Sequence, residues 1–146
     1  MDEFLHALLI ESDSATEWDF PEGFDWRASM NDLRRFRKAA FERLGLEFTV
    51  DDQVQDASFF ADLFCATYLG RGVGIRFSNF GHLVMIFTDD VRRFSSEHFP
   101  QELIDLLLEY KFKVVRPEDL QEAVYDGSHP KLRGEITWFT RYFDYL

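Results

Sequence analysis

Few side chains in this 146-residue chain are arranged for acid–base, nucleophilic or metal chemistry. The four histidines, His6, His82, His98 and His129, show neither the HxxxH nor the HExxH spacing that places two imidazoles on one helix face. The single cysteine, Cys65, lies in an apolar run, which is typical of a buried structural thiol, and it excludes an intrachain disulfide and a cysteine-based zinc site. We therefore expect no metal and no cofactor, and we assign no catalytic residue.

His82 is the histidine closest to a recognisable arrangement, because it borders a predicted hairpin turn that places Ser78 opposite it. A Ser–His pair becomes nucleophilic only with a third group that orients the imidazole and with an oxyanion site. The sequence identifies neither of these groups. The chain is therefore more readily explained as a non-enzymatic protein.

A second polar arrangement is a predicted cross-strand pair of opposite charge, Asp62 and Arg76. A structural ion pair is the simpler interpretation of these two residues. The functional interpretation is a polar site on an open face of the sheet, formed by Asp62, Arg76 and His82 and joined by Asp56 and Arg141.

The most unusual composition lies in residues 17–26, EWDFPEGFDW, where acids alternate with aromatic residues around one proline and one glycine. Aromatic side chains are enriched at the centres of protein interfaces, and flanking carboxylates steer a basic partner. The alternative interpretation is that these aromatic side chains cap the core. The candidate partner-binding residues are Trp18, Asp19, Phe20, Glu22, Phe24, Asp25 and Trp26.

The clearest predicted element that positions these residues is a hairpin over residues 72–89. Apolar residues alternate with small or polar ones on both sides of a turn at residues 79–81, which predicts two strands joined by a three-residue loop with a left-handed Gly81. The predicted cross-strand pairs are Phe77 with Leu83, Ile75 with Met85, and Val73 with Phe87.

Two segments fit both helical and strand periodicity. For residues 57–65, cross-strand pairing favours a strand, since this places Asp62 opposite Arg76 and completes a three-stranded meander. For residues 137–146, the aromatic positions favour a short helix.

Apolar stripes at helical spacing predict the remaining helices. The helices lie at residues 3–11, 28–44, 100–110 and, as a helical turn, 117–124, and further strands at 46–50 and 111–116. Ser29 or Asn31 is the predicted N-cap of the long helix, and Gly45 its stop. The sequence thus predicts a single α+β domain over residues 1–146. Its antiparallel or mixed sheet has about five strands, with the three-stranded meander at its centre and helices packed on one face.

The charge distribution limits the classes of partner. The net charge of −11 disfavours nucleic acid and anionic membranes and favours a basic protein. Residues 1–26 carry eight acids and no lysine or arginine, whereas residues 27–43 carry six of the chain's 16 basic residues. Either the acidic segment folds back onto the basic helix, or the helix forms a basic patch for an anionic ligand.

The N-terminus has acids where a secretory signal requires a basic region, and the chain has no apolar run of about 18 residues. These features predict a cytoplasmic protein without a membrane segment.

The leading hypothesis is an acidic, non-enzymatic interaction module that binds a basic protein partner, itself a monomer or small homo-oligomer. In size and charge, though not in any motif, the chain resembles bacterial immunity proteins, which neutralise basic toxins by covering their active surface. The alternative is a small-molecule-binding domain or enzyme with a pocket between sheet and helices, which a deep apolar cavity reaching Asp62 and Arg76 would favour. A weaker third hypothesis is a homo-oligomer assembled through the C-terminal aromatic segment.

Overall fold

The computed structural model describes residues 1–68, 71–88 and 94–145. Asp89 and Leu146, the last positions of two predicted elements, lie outside these ranges. The described elements are α1 (Glu3–Ser12), α2 (Trp26–Leu44), β1 (Thr49–Asp51), β2 (Phe59–Tyr68), β3 (Arg71–Ser78), β4 (Leu83–Thr88), α3 (Gln101–Glu109), β5 (Lys113–Val115), a 3-10 turn (Pro117–Asp119) and α4 (Trp138–Phe143). Within the described chain, no helix combines the length and the apolar character needed to cross a bilayer.

The five described strands form one mixed sheet in the order β1-β2-β3-β4-β5, which confirms the predicted α+β class. Strands β1 to β4 pair antiparallel, and β5 adds parallel to β4. The β2–β3 register is the predicted one, with Asp62 opposite Arg76 and Leu63 opposite Ile75. The C-terminal aromatic segment forms α4, as its periodicity predicted.

The β3–β4 register differs from the prediction by one residue. Phe77 lies opposite Val84 rather than Leu83, and the other two predicted pairs are shifted in the same way. The turn holds four residues instead of three, because His82 as well as Gly81 takes a left-handed φ of 59°. The prediction was wrong because all six residues of β4 are buried, so that either register leaves an apolar face towards the core.

Apolar side chains form two clusters, one on each face of the sheet. Alternate residues of β4 divide between them, with Val84 and Ile86 in one cluster and Leu83 and Met85 in the other. The first cluster contains the buried stripes of α2 and α3, so these two helices lie on one face of the sheet. The second cluster contains residues of α1 and α4, which cover the opposite face.

Helix α2 begins two residues earlier than predicted, because Asp25 caps it. The Asp25 carboxylate accepts a hydrogen bond from the backbone N–H of Ala28 at 3.0 Å. The predicted caps, Ser29 and Asn31, lie inside the helix instead. This cap fixes the direction in which the acidic–aromatic segment, residues 17–26, enters α2.

Candidate protein-interaction site

Three large aromatic side chains of the acidic–aromatic segment remain about half exposed. Trp18 is 45% exposed, Phe20 53% and Trp26 46%, whereas Trp138, the third tryptophan of the chain, is 1% exposed. The Trp18 ring packs edge-on against His129 with ring centres 5.0 Å apart, and the Phe20 ring stacks on Phe24 at 5.9 Å, so each ring is partly covered and partly exposed. We call the three exposed side chains, Trp18, Phe20 and Trp26, the aromatic patch.

Two of these side chains, Phe20 and Trp26, line a groove of about 380 Å³, which Trp18 does not reach. Its aromatic walls include Phe20, Phe24 and Trp26, and its polar side chains are Asp19, Asp56 and Asn79. No lysine or arginine among the described residues lines it. The groove thus combines apolar walls with two negative charges.

The two carboxylates of the groove lack internal partners. Neither Asp19 nor Asp56 forms a side-chain hydrogen bond or an ion pair in the part of the chain that the structure describes. Burial and then the negative charge of Asp56 raise the pKa of Asp19, and the positive charge of Arg141 offsets only part of this shift. A cation placed between the two carboxylates would relieve their repulsion.

Asn79 holds together the two segments that carry these carboxylates. Its Nδ2 donates hydrogen bonds to the backbone carbonyl of Asp19 at 2.8 Å and to that of Ala57 at 3.1 Å. Its Oδ1 is buried and has no hydrogen-bond partner among the described residues, although the side chain is only 8% exposed. An unpaired buried acceptor is costly, so Asn79 carries a cost that its two hydrogen bonds offset.

Arg141 anchors the start of the segment from inside the molecule. Its Nε lies 3.0 Å from Oδ1 of Asp13, and both side chains are fully buried. Its other nitrogens donate to the backbone carbonyls of Ser14, Glu17 and Trp18. The backbone that leads into the aromatic patch is therefore fixed by buried, charge-assisted hydrogen bonds.

The other predicted partner-binding residues have internal roles. Glu22 accepts hydrogen bonds from the hydroxyls of Thr16 at 2.7 Å and Ser14 at 3.2 Å, and the bond from Thr16 lowers the pKa of Glu22. Asp25 caps α2, and the half-buried Phe24 packs against the first apolar cluster. Glu22 and Asp25 thus stabilise the local structure of the segment, and Phe24 packs on the core while also lining the groove.

Asp62 and Arg76 form a closed ion pair. Nε and Nη2 of Arg76 each donate to one carboxylate oxygen of Asp62 at 2.9 Å, and Nη1 donates to the backbone carbonyl of Phe143 in α4 at 3.0 Å. The guanidinium carbon also lies 3.8 Å from the ring centre of Phe59. The guanidinium is thus occupied on all sides, and α4 covers the face of the sheet on which the pair lies.

His82 lies apart from this pair, in a second cavity of about 270 Å³ between the start of α2 and the β3–β4 turn. Its Nε2 is 3.9 Å from a carboxylate oxygen of Asp32. The hydroxyl of Ser78 donates to a backbone carbonyl, and the shifted register no longer places it opposite His82. The structure therefore does not bring Asp62, Arg76 and His82 together.

The basic residues of α2 do not pair with the acidic N-terminal segment. In the described chain, the ion pairs made by lysine and arginine of α2 are Arg35–Asp32, Lys38–Glu42 and Arg43–Glu109. None of them involves residues 1–26, so the expectation that the acidic segment folds back onto α2 is not met. Asp19, in particular, gains no basic partner from α2.

Sequence reasoning missed how Asn79, Asp56 and Arg141 build the site. Asn79 served only as a turn residue, and Asp56 and Arg141 were expected beside Asp62. The contacts that matter join residues 60 positions apart, from Asn79 to Asp19, and 128 positions apart, from Arg141 to Asp13. No local pattern encodes such contacts.

No cluster of three or more metal-ligating side chains occurs among residues 1–68, 71–88 and 94–145. Comparison of the chain with protein-family models, curated proteins and solved structures finds no match.

Proposed function

We propose that this protein is a non-enzymatic interaction module that binds a basic protein partner through the aromatic patch. The observation that carries the proposal is the exposure of Trp18, Phe20 and Trp26 on a segment anchored by buried contacts of Arg141. Tryptophan and other large aromatic residues dominate binding energy at interface centres. Because the backbone is already fixed, less conformational entropy is lost on binding.

The charge of the molecule supports a basic partner. The net charge is −11, and the segment that carries the patch contains no lysine or arginine. A field of this sign accelerates encounter with a positively charged protein and repels nucleic acid. We therefore expect the association to weaken as salt concentration rises.

One form of this function is toxin neutralisation in the bacterial cytoplasm, as immunity proteins perform it. In this form the acidic surface covers the basic active surface of a toxin. The small size and the acidic charge of the chain support this version of the proposal.

The second candidate function is small-molecule binding, with or without catalysis. The cavity of about 270 Å³ favours it, because its walls include Phe60, Phe77 and Phe112 and its polar residues include His82 and Asp32. A thermal-shift screen of small aromatic amines tests this candidate, and a ligand-induced rise in Tm that His82→Ala abolishes would support it.

Capture of the partner by variants of the patch tests the main proposal. We would compare the tagged wild-type protein with Phe20→Ala/Trp26→Ala and with Phe4→Ala/Phe41→Ala, which removes two exposed aromatic rings elsewhere. The expected result is one stoichiometric basic protein from host lysate that wild type and control retain at low salt. The patch variant should lose it, and high salt should release it.

Two results would contradict the proposal. One is equal retention of the same protein by the patch variant and the control variant. The other is the absence of any specifically retained protein at low salt. Circular dichroism of each variant shows whether the fold is intact, so that a loss of capture is not confused with unfolding.

A further inference from the structure

We infer that the groove lined by Phe20 and Trp26 is a binding site for an arginine side chain of the basic partner, whose guanidinium would lie between Asp19 and Asp56. The inference rests on the proposed function and deepens it, because it names the contact at the centre of the interface. The charge of the groove, its shape and the cross-link made by Asn79 support this site.

The charge of the groove favours a cation. Its two carboxylates, Asp19 and Asp56, make no side-chain hydrogen bond or ion pair within the described part of the chain. Arg141 is the cation that acts on Asp19, but its guanidinium is already bound to Asp13 and to backbone carbonyls behind the segment. The negative charge at the groove is therefore left for a group from outside.

The shape and the walls favour a planar cation over a compact one. Phe20, Phe24 and Trp26 form an aromatic lining, on which a guanidinium stacks through its flat face. A lysine ammonium is a strongly hydrated point charge, and stripping its water in such a groove is more costly. The volume of about 380 Å³ also accommodates the extended methylene chain of arginine.

Asn79 fixes the frame of the groove. Its Nδ2 donates to the backbone carbonyls of Asp19 and Ala57, which cross-links the two segments that carry the carboxylates. A guanidinium has five N–H donors in a fixed plane, enough to bind two carboxylates together. The backbone positions of the two carboxylate-bearing segments are therefore set before binding.

A titration with small arginine analogues tests the site without any partner protein. The probes are Nα-acetyl-argininamide, the uncharged isostere Nα-acetyl-citrullinamide, and Nα-acetyl-lysinamide. NMR chemical shifts report binding at the Trp26 indole and at the Asp19 and Asp56 carboxylates. We expect saturable binding of the arginine probe with a Kd of about 1–10 mM, as suits a single side chain. Binding of the citrulline probe should be at least about tenfold weaker, and that of the lysine probe several-fold weaker.

Matched charge variants distinguish binding in the groove from attraction by the overall negative charge of the protein. Asp19→Asn/Asp56→Asn is expected to raise the Kd of the arginine probe at least about tenfold. Glu47→Gln/Glu122→Gln removes the same charge from exposed positions outside the groove and should change the Kd less than about twofold.

Four results would overturn the inference: no saturable binding, equal affinity for the citrulline probe, affinity for the lysine probe equal to or above that for arginine, or an unchanged Kd in Asp19→Asn/Asp56→Asn. If the titration fails but partner capture still depends on Phe20 and Trp26, the arginine site is wrong and the proposed function stands. If capture does not depend on the patch, the proposed function fails whatever the titration shows.

Discussion

At the scale of single residues, Arg141 connects the core to the acidic–aromatic segment, because its guanidinium binds Asp13 and three backbone carbonyls. Arg141→Met leaves the fully buried Asp13 without its counter-ion, which typically costs about 3–5 kcal/mol. The free energy of unfolding in urea measures this loss. The exposed Arg35 provides the control, since Arg35→Met should change stability by less than about 1 kcal/mol. A loss below about 1 kcal/mol in Arg141→Met would show that the anchor is weak.

The raised pKa of Asp19 has a consequence for stability. Because burial and Asp56 raise this pKa in the folded state, the folded protein binds the proton more tightly than the unfolded chain does. Ionised Asp19 therefore destabilises the fold as pH rises through the folded-state pKa. We expect Asp19→Asn to increase Tm at neutral pH and to have no effect at a pH below the ordinary aspartate pKa. A decrease in Tm at neutral pH would contradict this electrostatic account.

Substitution of Glu22 is expected to change Tm in the opposite direction from substitution of Asp19. The hydrogen bond from Thr16 lowers its pKa in the folded state, so its contribution is complete above the ordinary glutamate pKa. That contribution is lost as pH falls through the lowered value. Glu22→Gln should therefore decrease Tm at neutral pH but not in strong acid. Thermal melts of both variants across the same pH series test the pair of predictions together, and equal shifts at every pH would count against it.

At the scale of elements, the start of α2 differs from the start predicted from the sequence. Asp25 caps the helix, whereas periodicity pointed to Ser29 or Asn31. We expect Asp25→Ala to cost about 1 kcal/mol of unfolding free energy and Ser29→Ala to be nearly neutral. Chemical denaturation of the two variants decides between the caps, and the reverse order of effects would place the start of the helix at Ser29.

The β3–β4 register makes a second prediction at this scale. Gly74 lies opposite Phe87, and a Cβ added at Gly74 would overlap the Phe87 ring. Gly74→Ala should therefore cost about 1–3 kcal/mol, and Phe87→Leu in the same chain should recover part of that loss. The originally predicted register places Phe87 opposite Val73, so additive effects in a double-mutant cycle would favour that register instead.

The strands and helices could be predicted because their patterns are local. Strand β3 follows from the alternation around Ile75. Helix α2 follows from its buried stripe, which includes Phe36, and from its stop at Gly45. The register of β4 could not be predicted, since Val84 and Leu83 are both apolar and both buried. Residue types alone did not distinguish the two registers.

The candidate site could be predicted only in part. The alternating acids and aromatics of residues 17–26 identified the segment, but not which of its side chains stay exposed. Glu22 and Asp25 proved to be occupied within the segment or at the helix start, while Asp56 entered the groove from a distant part of the chain. Tertiary contacts alone determine which of these side chains are exposed and which are bonded within the protein.

At the scale of the whole molecule, charge and exposed aromatic surface act at different stages of binding. The net charge of −11 acts at long range and governs the rate of encounter, which salt screens. The aromatic patch acts at contact and governs the rate of dissociation. For the captured partner, we therefore expect salt to lower mainly the association rate constant and Phe20→Ala/Trp26→Ala to raise mainly the dissociation rate constant. Surface plasmon resonance measures the two rate constants separately. A salt effect confined to the dissociation rate constant would contradict this expectation.

If the aromatic patch binds the partner, removing its rings must raise the Kd of the purified complex. Interface hot spots contribute about 2 kcal/mol or more each, so Phe20→Ala/Trp26→Ala should raise the Kd by about a hundredfold or more. The control variant Phe4→Ala/Phe41→Ala should stay within about threefold of wild type. If the patch variant also binds within about threefold of wild type, the patch is not the interface and the account is wrong.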